Sequence, residues 1–160
     1  MASWAEFASA EPAFAARVAD RFAIRKHKTL ATLRKDGSPR ISPVEPYLTQ
    51  GHLLFGAMPW SLKTRDLLRD PRCVLHSAIS DPDSGEGELK LYGSATEADE
   101  QIRNGCREGW WAARPTEAAS VFSLNITQAT FISWDTEHGA MTVRRWSPQL
   151  GYRETRRDYP

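Results

Sequence analysis

Between Lys28 and Ala57 the chain holds three short β-like runs, KTLATLR, PRISPVEPY and HLLFGA, with only a turn's length of chain between one and the next. A parallel pair of strands needs a crossover of about a dozen residues or more, usually a helix, so strands this closely spaced must run antiparallel. Between the first two lies Lys35-Asp36-Gly37-Ser38. Its Asp-Gly pair supplies the positive φ angles that a tight hairpin turn requires. Pro43 and Pro46 in the second run cannot donate ladder hydrogen bonds. That strand is therefore expected at a sheet edge or bulged, with its middle open to a ligand.

The remaining periodicities extend this pattern. Ser3–Lys26 reads as helical, with Phe14, Val18 and Phe22 recurring every fourth residue and Pro12 at the start of a second helical piece. Ser61–Arg69 reads as a short helix capped by Ser61 and stopped before Pro71. Cys73–Ile79 and Glu88–Ala95 are expected to form a hairpin across the polar loop SDPDSGEG, the latter run alternating Leu89, Leu91 and Gly93 against Lys90, Tyr92 and Ser94. Asp99–Ala113 is expected to be a helix, and Ala129–Trp134 and Ala140–Trp146 two closing strands joined around Asp135 and Glu137. The fold class that follows is mainly β with flanking helices, an antiparallel Greek-key-like barrel of about seven strands. Residues 1–150 are expected to form one domain and Gly151–Pro160 a polar tail.

Composition narrows the function classes. Twenty-one Lys and Arg against 20 Asp and Glu give no bulk charge that would draw nucleic acid or an anionic membrane. Cys73 and Cys106 lack the paired spacing of a zinc site and are too few for a disulfide framework. No metal is expected. No stretch approaches the ~20 apolar residues of a membrane span, and the N-terminus lacks the basic and apolar segments of a secretory signal, so a cytoplasmic location is the default expectation.

The candidate chemistry is concentrated between Arg40 and Lys63. On an extended strand Arg40 and Ser42 project from one face, placing a cation beside a hydroxyl. About twenty residues later Ser61 and Lys63 open a helix whose free backbone N–H groups and positive dipole end suit an anion. Singly, each of these is an ordinary surface charge or helix cap; together they bracket the third strand with two phosphate-friendly features.

LATLRKDGSPRISPVE followed by LLFGAMPWSLKTRDLLRDPRCVLHS resembles the pyridoxamine 5'-phosphate oxidase-like family of FMN-binding split β-barrels, in its flavin and deazaflavin oxidoreductase branch. The likeness runs from about Lys28 to Gly93, with a weaker echo from Phe122 to Pro148. It implies a homodimer with cofactor sites at the subunit interface. It also implies that Arg40, Ser42 and Val44 on the second strand, Ala57 and Met58 leaving the third, and Ser61 with Lys63 hold FMN or the deazaflavin coenzyme F-420. Pyridoxamine phosphate oxidases proper carry a basic residue where Glu45 stands, an Arg-Lys pair where this chain has Leu62-Lys63, and an Arg-Leu-x-Pro ending that Arg145-Trp146-Ser147-Pro148 keeps only in outline. Vitamin B6 oxidation is therefore not expected. The implied activity is an oxidoreductase that passes hydride to or from a small organic substrate, the cofactor carrying the chemistry.

Two alternatives come from other classes: a non-catalytic flavin-binding or storage protein, and a haem-binding relative that would need an axial ligand such as His76 or His138. His76 beside Ser77 has no acidic partner at readable spacing, so it is read as structural rather than as part of a hydrolase. Trp110-Trp111, with Arg107 and Arg114, could cap a planar ligand or face a partner subunit, but on an amphipathic helix the pair is expected to pack over the barrel, and Arg153, Arg156 and Arg157 are expected to be solvated.

Overall fold

The computed structural model describes residues 1–159. Two helices, α1 (Trp4–Ala10) and α2 (Pro12–Ala23), precede four strands: β1 (Lys28–Leu33), β2 (Pro39–Val44), β3 (Pro46–Thr49) and β4 (His52–Ala57). Helix α3 (Leu62–Arg69), β5 (Arg72–His76), β6 (Glu88–Glu97) and α4 (Glu100–Gly105) follow. The chain closes with β7 (Ser120–Asp135), β8 (Ala140–Ser147) and β9 (Gly151–Asp158). All strand pairs are antiparallel, in the order β2-β1-β5-β6-β7-β4-β3, with β8 and β9 branching from β7. The mainly β architecture with flanking helices is the one the strand spacing required.

β7 is the spine. One edge pairs with β6 over Phe122–Ile132; the other pairs with β4 over Ser120–Ser123 and with β8 over Ala129–Asp135. The gap between β4 and β8 is filled by the N-terminus: Ala2 donates to the Ile126 carbonyl at 2.9 Å and accepts from the Ile126 N–H at 2.7 Å. A buried backbone pair at Ile126, itself fully buried, is thereby satisfied. Ser3 and Glu6 then form a capping box that starts α1.

The core lies inside the curved sheet, where Leu30, Leu53, Phe55, Leu75, Leu91, Phe122 and Leu124 meet Phe7, Phe14, Val18 and Phe22 from the two N-terminal helices. A second, smaller cluster on the opposite face of β4 packs Leu54 and Val121 under Cys106 and Trp111. β4 is consequently buried on both faces, which is why its sequence is a continuous apolar run rather than an alternation.

Several boundaries depart from the sequence reading. The run expected as one strand over Pro39–Tyr47 breaks at Glu45: β2 lies at one end of the sheet order and β3 at the other, so the prolines fall on edge strands as the missing donors demand. In the first hairpin Gly37 alone has a positive φ (81°); Asp36 contributes its carboxylate, which accepts from the Ser38 N–H and hydroxyl. The strand expected over Cys73–Ile79 ends at His76. The helix expected over Asp99–Ala113 stops at Gly105, and the segment after it is turns. β7 begins at Ser120, well before Ala129.

Gly151–Asp158, expected as a polar tail, is a strand. Its polarity is real, since every residue is exposed, but its backbone pairs with β8 from Gly151↔Ser147 to Asp158↔Ala140. Tyr152 meets the Phe14 ring edge-on at 5.4 Å, and Glu154 forms an ion pair with Arg144 across the strands at 3.0 Å. A strand exposed on both faces carries no apolar alternation, so periodicity has nothing to report.

Candidate functional site

Where β2 passes into β3 and β4 passes toward α3, the chain leaves a groove of 330 Å³. Val44 and Glu45 come to it from the end of β2, Gly56, Ala57 and Met58 from the end of β4, and Lys63 from the first turn of α3. His27 lies at its rim, and Trp110 and Arg114 wall it from the segment after α4. Four of the residues singled out in the sequence, Val44, Ala57, Met58 and Lys63, therefore meet at one place.

Arg40, Ser42 and Ser61 lie outside the groove's lining. Arg40, Ser42 and Val44 share one face of β2, as strand alternation requires. The Arg40 side chain turns to α3, where its Nε donates to Asp66 Oδ2 at 2.6 Å. Its two terminal nitrogens make no hydrogen bond among the described residues. The Ser61 hydroxyl is committed to capping α3: it accepts from the Thr64 N–H at 3.4 Å and lies 3.0 Å from the Thr64 hydroxyl.

Lys63 differs from both. It is half-buried and pairs with no carboxylate among the described residues, and burial lowers its ammonium pKa. An unpaired cation at a helix start, beside an apolar floor, favours occupation by an anionic group.

On the other side of the groove stand residues for which sequence reasoning favoured packing over ligand contact. Trp110 and Trp111, adjacent in sequence, part ways: Trp111 is almost fully buried in the smaller core cluster, while half-buried Trp110 faces the groove with the Arg114 guanidinium 5.5 Å from its ring centroid. Gly56 makes this possible. A Cβ there would stand 2.5 Å from Trp111 and 3.0 Å from Trp110, so any other residue would push both indoles off β4. The signal was present in LLFGAM, where a lone glycine inside a strand marks close approach of another group.

Glu45 sits at the β2–β3 junction with its side chain 19% exposed. Oε2 accepts from the Tyr47 hydroxyl at 3.0 Å and lies 3.1 Å from Lys26 Nζ; Oε1 lies 3.1 Å from His27 Nε2. Burial opposes ionisation of this carboxyl, but the hydrogen bonds from Lys26 and Tyr47 outweigh it and hold the pKa below the usual range. Tyr47, half-buried beside that carboxylate, is pushed up to about 12 by burial and by its hydrogen bond to Glu45.

The histidines proposed as haem ligands are elsewhere. His76 lies on β5, donating from Nδ1 to the Ser77 carbonyl at 2.6 Å, with Glu88 3.6 Å from Nε2. His138 stands in the β7–β8 turn against Asp135 at 2.9 Å. Among the described residues no group of three or more His, Cys, Asp or Glu is placed to hold a metal ion, and no helix is long and apolar enough to cross a membrane.

The sequence matches no protein-family model and no curated protein. Solved structures do resemble it. PhzG from Burkholderia lata, in complex with tetrahydrophenazine-1-carboxylic acid, superposes with a TM-score of 0.67 at 15% identity, covering 93% of each chain. A pyridoxamine 5'-phosphate oxidase-related, FMN-binding protein from Nostoc punctiforme gives 0.63 at 12% identity, covering 92% of this chain and 96% of its own. A haem-binding protein from Mycobacterium smegmatis gives 0.60 at 18% identity, covering 90% and 88%. The chain has the split-barrel fold of the pyridoxamine 5'-phosphate oxidase-related proteins.

Proposed function

We propose that the groove binds FMN, or the related deazaflavin coenzyme F-420, and that the protein is an oxidoreductase acting on a small organic substrate. The observation that carries this reading is the unpaired ammonium of Lys63 at one side of an apolar groove walled by Trp110, with the free terminal nitrogens of Arg40 on the neighbouring strand. That donor set suits a planar ring bearing a phosphorylated chain: Val44, Ala57 and Met58 exclude water from the ring, Trp110 offers it a face, and Lys63 with Arg40 receives the phosphate. The bound flavin would supply the redox chemistry, and the chain its position, a dry wall and charge. Glu45, the only carboxylate lining the groove among the described residues, is disposed against a second phosphate there, which disfavours vitamin B6 phosphates as substrates.

A homodimer belongs to the same proposal. The outer face of β1, β5 and β6 carries a shallow concavity of 700 Å³ floored by Ala31, Leu33, Val74 and Tyr92, and Ile41 beside it on β2 is 73% exposed. An apolar sheet face of this kind is suited to a second copy.

Titration with FMN and with F-420, followed by flavin fluorescence, tests the cofactor reading. Saturable binding is expected, weakened about tenfold or more in Lys63→Ala, the worth of one charge-assisted hydrogen bond. Binding of neither compound sinks the reading. Haem remains the second reading because the structural neighbours include a haem-binding protein and a haem storage protein. A Soret band on haem addition that disappears in His76→Ala or His138→Ala would establish it in place of the flavin.

A further inference from the structure

Glu45 is held in two different ways. From beneath, Tyr47 is a half-buried, strand-borne donor at 3.0 Å. From outside, among the described residues, the carboxylate is met only by Lys26 and His27, whose side chains are 67% and 65% exposed and which follow the end of α2. An exposed lysine–carboxylate pair contributes about 0–1 kcal/mol, so Lys26 can leave Glu45 at little cost. The carboxylate cannot leave, being fixed on the strand junction with most of its surface covered. Glu45 thus presents a preorganised anionic acceptor whose present cationic partner is replaceable.

The groove around it is bipolar. Lys63 and Arg114 supply the cationic side, Glu45 the anionic side, and Val44, Ala57, Met58 and Trp110 the apolar span between. We propose that Glu45 is the substrate-recognition residue of this groove and that the substrate is a protonated amine on an apolar body, its ammonium competing with Lys26 Nζ for the carboxylate. The inference rests on the reading that this groove is the ligand site. Because Lys63 and Arg114 repel a cation, the amine is expected to bind best once an anionic group, the flavin phosphate, has neutralised that side.

The test uses benzylamine and its neutral analogue benzyl alcohol, titrated by calorimetry into cofactor-free protein in phosphate buffer and into FMN-loaded protein, for the wild type, Glu45→Gln and Lys26→Ala. The wild type should prefer the amine by about tenfold, the size of one charge-assisted hydrogen bond. Glu45→Gln should abolish the preference. Lys26→Ala should strengthen amine binding several-fold, because it removes the competing ammonium; a residue that merely clasped α2 to the sheet would leave binding unchanged or weaken it. Equal binding of amine and alcohol, a preference that survives in Glu45→Gln, or no gain in Lys26→Ala overturns the inference. FMN binding without an amine preference overturns it while leaving the flavin reading intact. An amine preference in protein that does not bind FMN keeps the amine site and removes the flavin.

Discussion

Asp66 on α3 is almost fully buried yet charged, and it is the point where three elements are tied. Its carboxylate accepts from Arg40 on β2 at 2.6 Å, from the Thr32 hydroxyl on β1 at 3.1 Å and from Arg69 on its own helix at 3.2 Å. Burial alone would raise its pKa, but the bonds from Arg40, Thr32 and Arg69 outweigh that and hold it below the ordinary carboxylate range. A depressed folded-state pKa contributes stability that is complete above the unfolded value near 4 and is lost as pH falls through the folded value. Asp66→Asn, which leaves Arg40 without its counter-charge, should therefore cost about 3 kcal/mol at pH 7. In urea unfolding that difference should shrink as the pH is lowered below about 4. A difference that stays constant between pH 7 and pH 3 would mean that Asp66 is not ionised in the folded protein. Nothing in the spacing of TRDLLRD distinguished Asp66 from a solvated helix charge. It faces inward because the edge strand bearing Arg40 lies beside α3, which is tertiary information.

Among the elements, the β3–β4 connection is the one whose sequence fits its geometry least well. Thr49 pairs with His52, leaving Gln50-Gly51 as a two-residue loop with φ of 48° and 80°. Two positive φ angles in succession match the type I′ turn, which asparagine or glycine adopts at its first position far more readily than glutamine. Gln50→Asn should therefore stabilise the protein by about 0.5–1 kcal/mol, given that only a long 3.5 Å bond to the Gly105 carbonyl is lost. Its thermal midpoint should rise by a few degrees, and a fall would show that the Gln50 side chain supports the segment after α4. This turn escaped the sequence reading because glutamine is not a turn residue, whereas Asp36-Gly37 announced itself. The same contrast runs through the other elements. Strands with one buried face, such as β6, were legible from alternation. β9 was not, because all its residues are exposed, and neither was the first half of β7, whose pairing with β4 and with the N-terminus involves residues remote in sequence.

At the scale of the whole molecule, the split in the barrel determines what the site can be. β2 and β3 are consecutive in the chain yet lie at opposite ends of the sheet order, so the junction at Val44 and Glu45 spans an opening that no strand pair closes. Of the groove's residues, Val44, Ala57, Met58 and Lys63 were singled out by the family resemblance, all within one short stretch of chain. Trp110 and Arg114 were not, since they come from a turn-rich segment beyond β6 that only the fold brings back. The apolar face of β1, β5 and β6 lies outside the barrel and, among the described residues, is covered by no element of the chain, which is the physical ground for the proposed homodimer. Light scattering at micromolar concentration should therefore give twice the 18.0 kDa of one chain. A carboxylate on this face would bury uncompensated charge in a dimer but be solvated in a monomer, so Ile41→Asp, a change at an exposed edge-strand position, should shift the population to monomer without unfolding it. If that monomer still binds FMN with wild-type affinity, the groove is complete within one chain. If binding falls with dimerisation, the partner contributes to the site. A wild-type protein that is already monomeric would remove the dimer and leave the concavity as the part of this molecule with no assigned occupant.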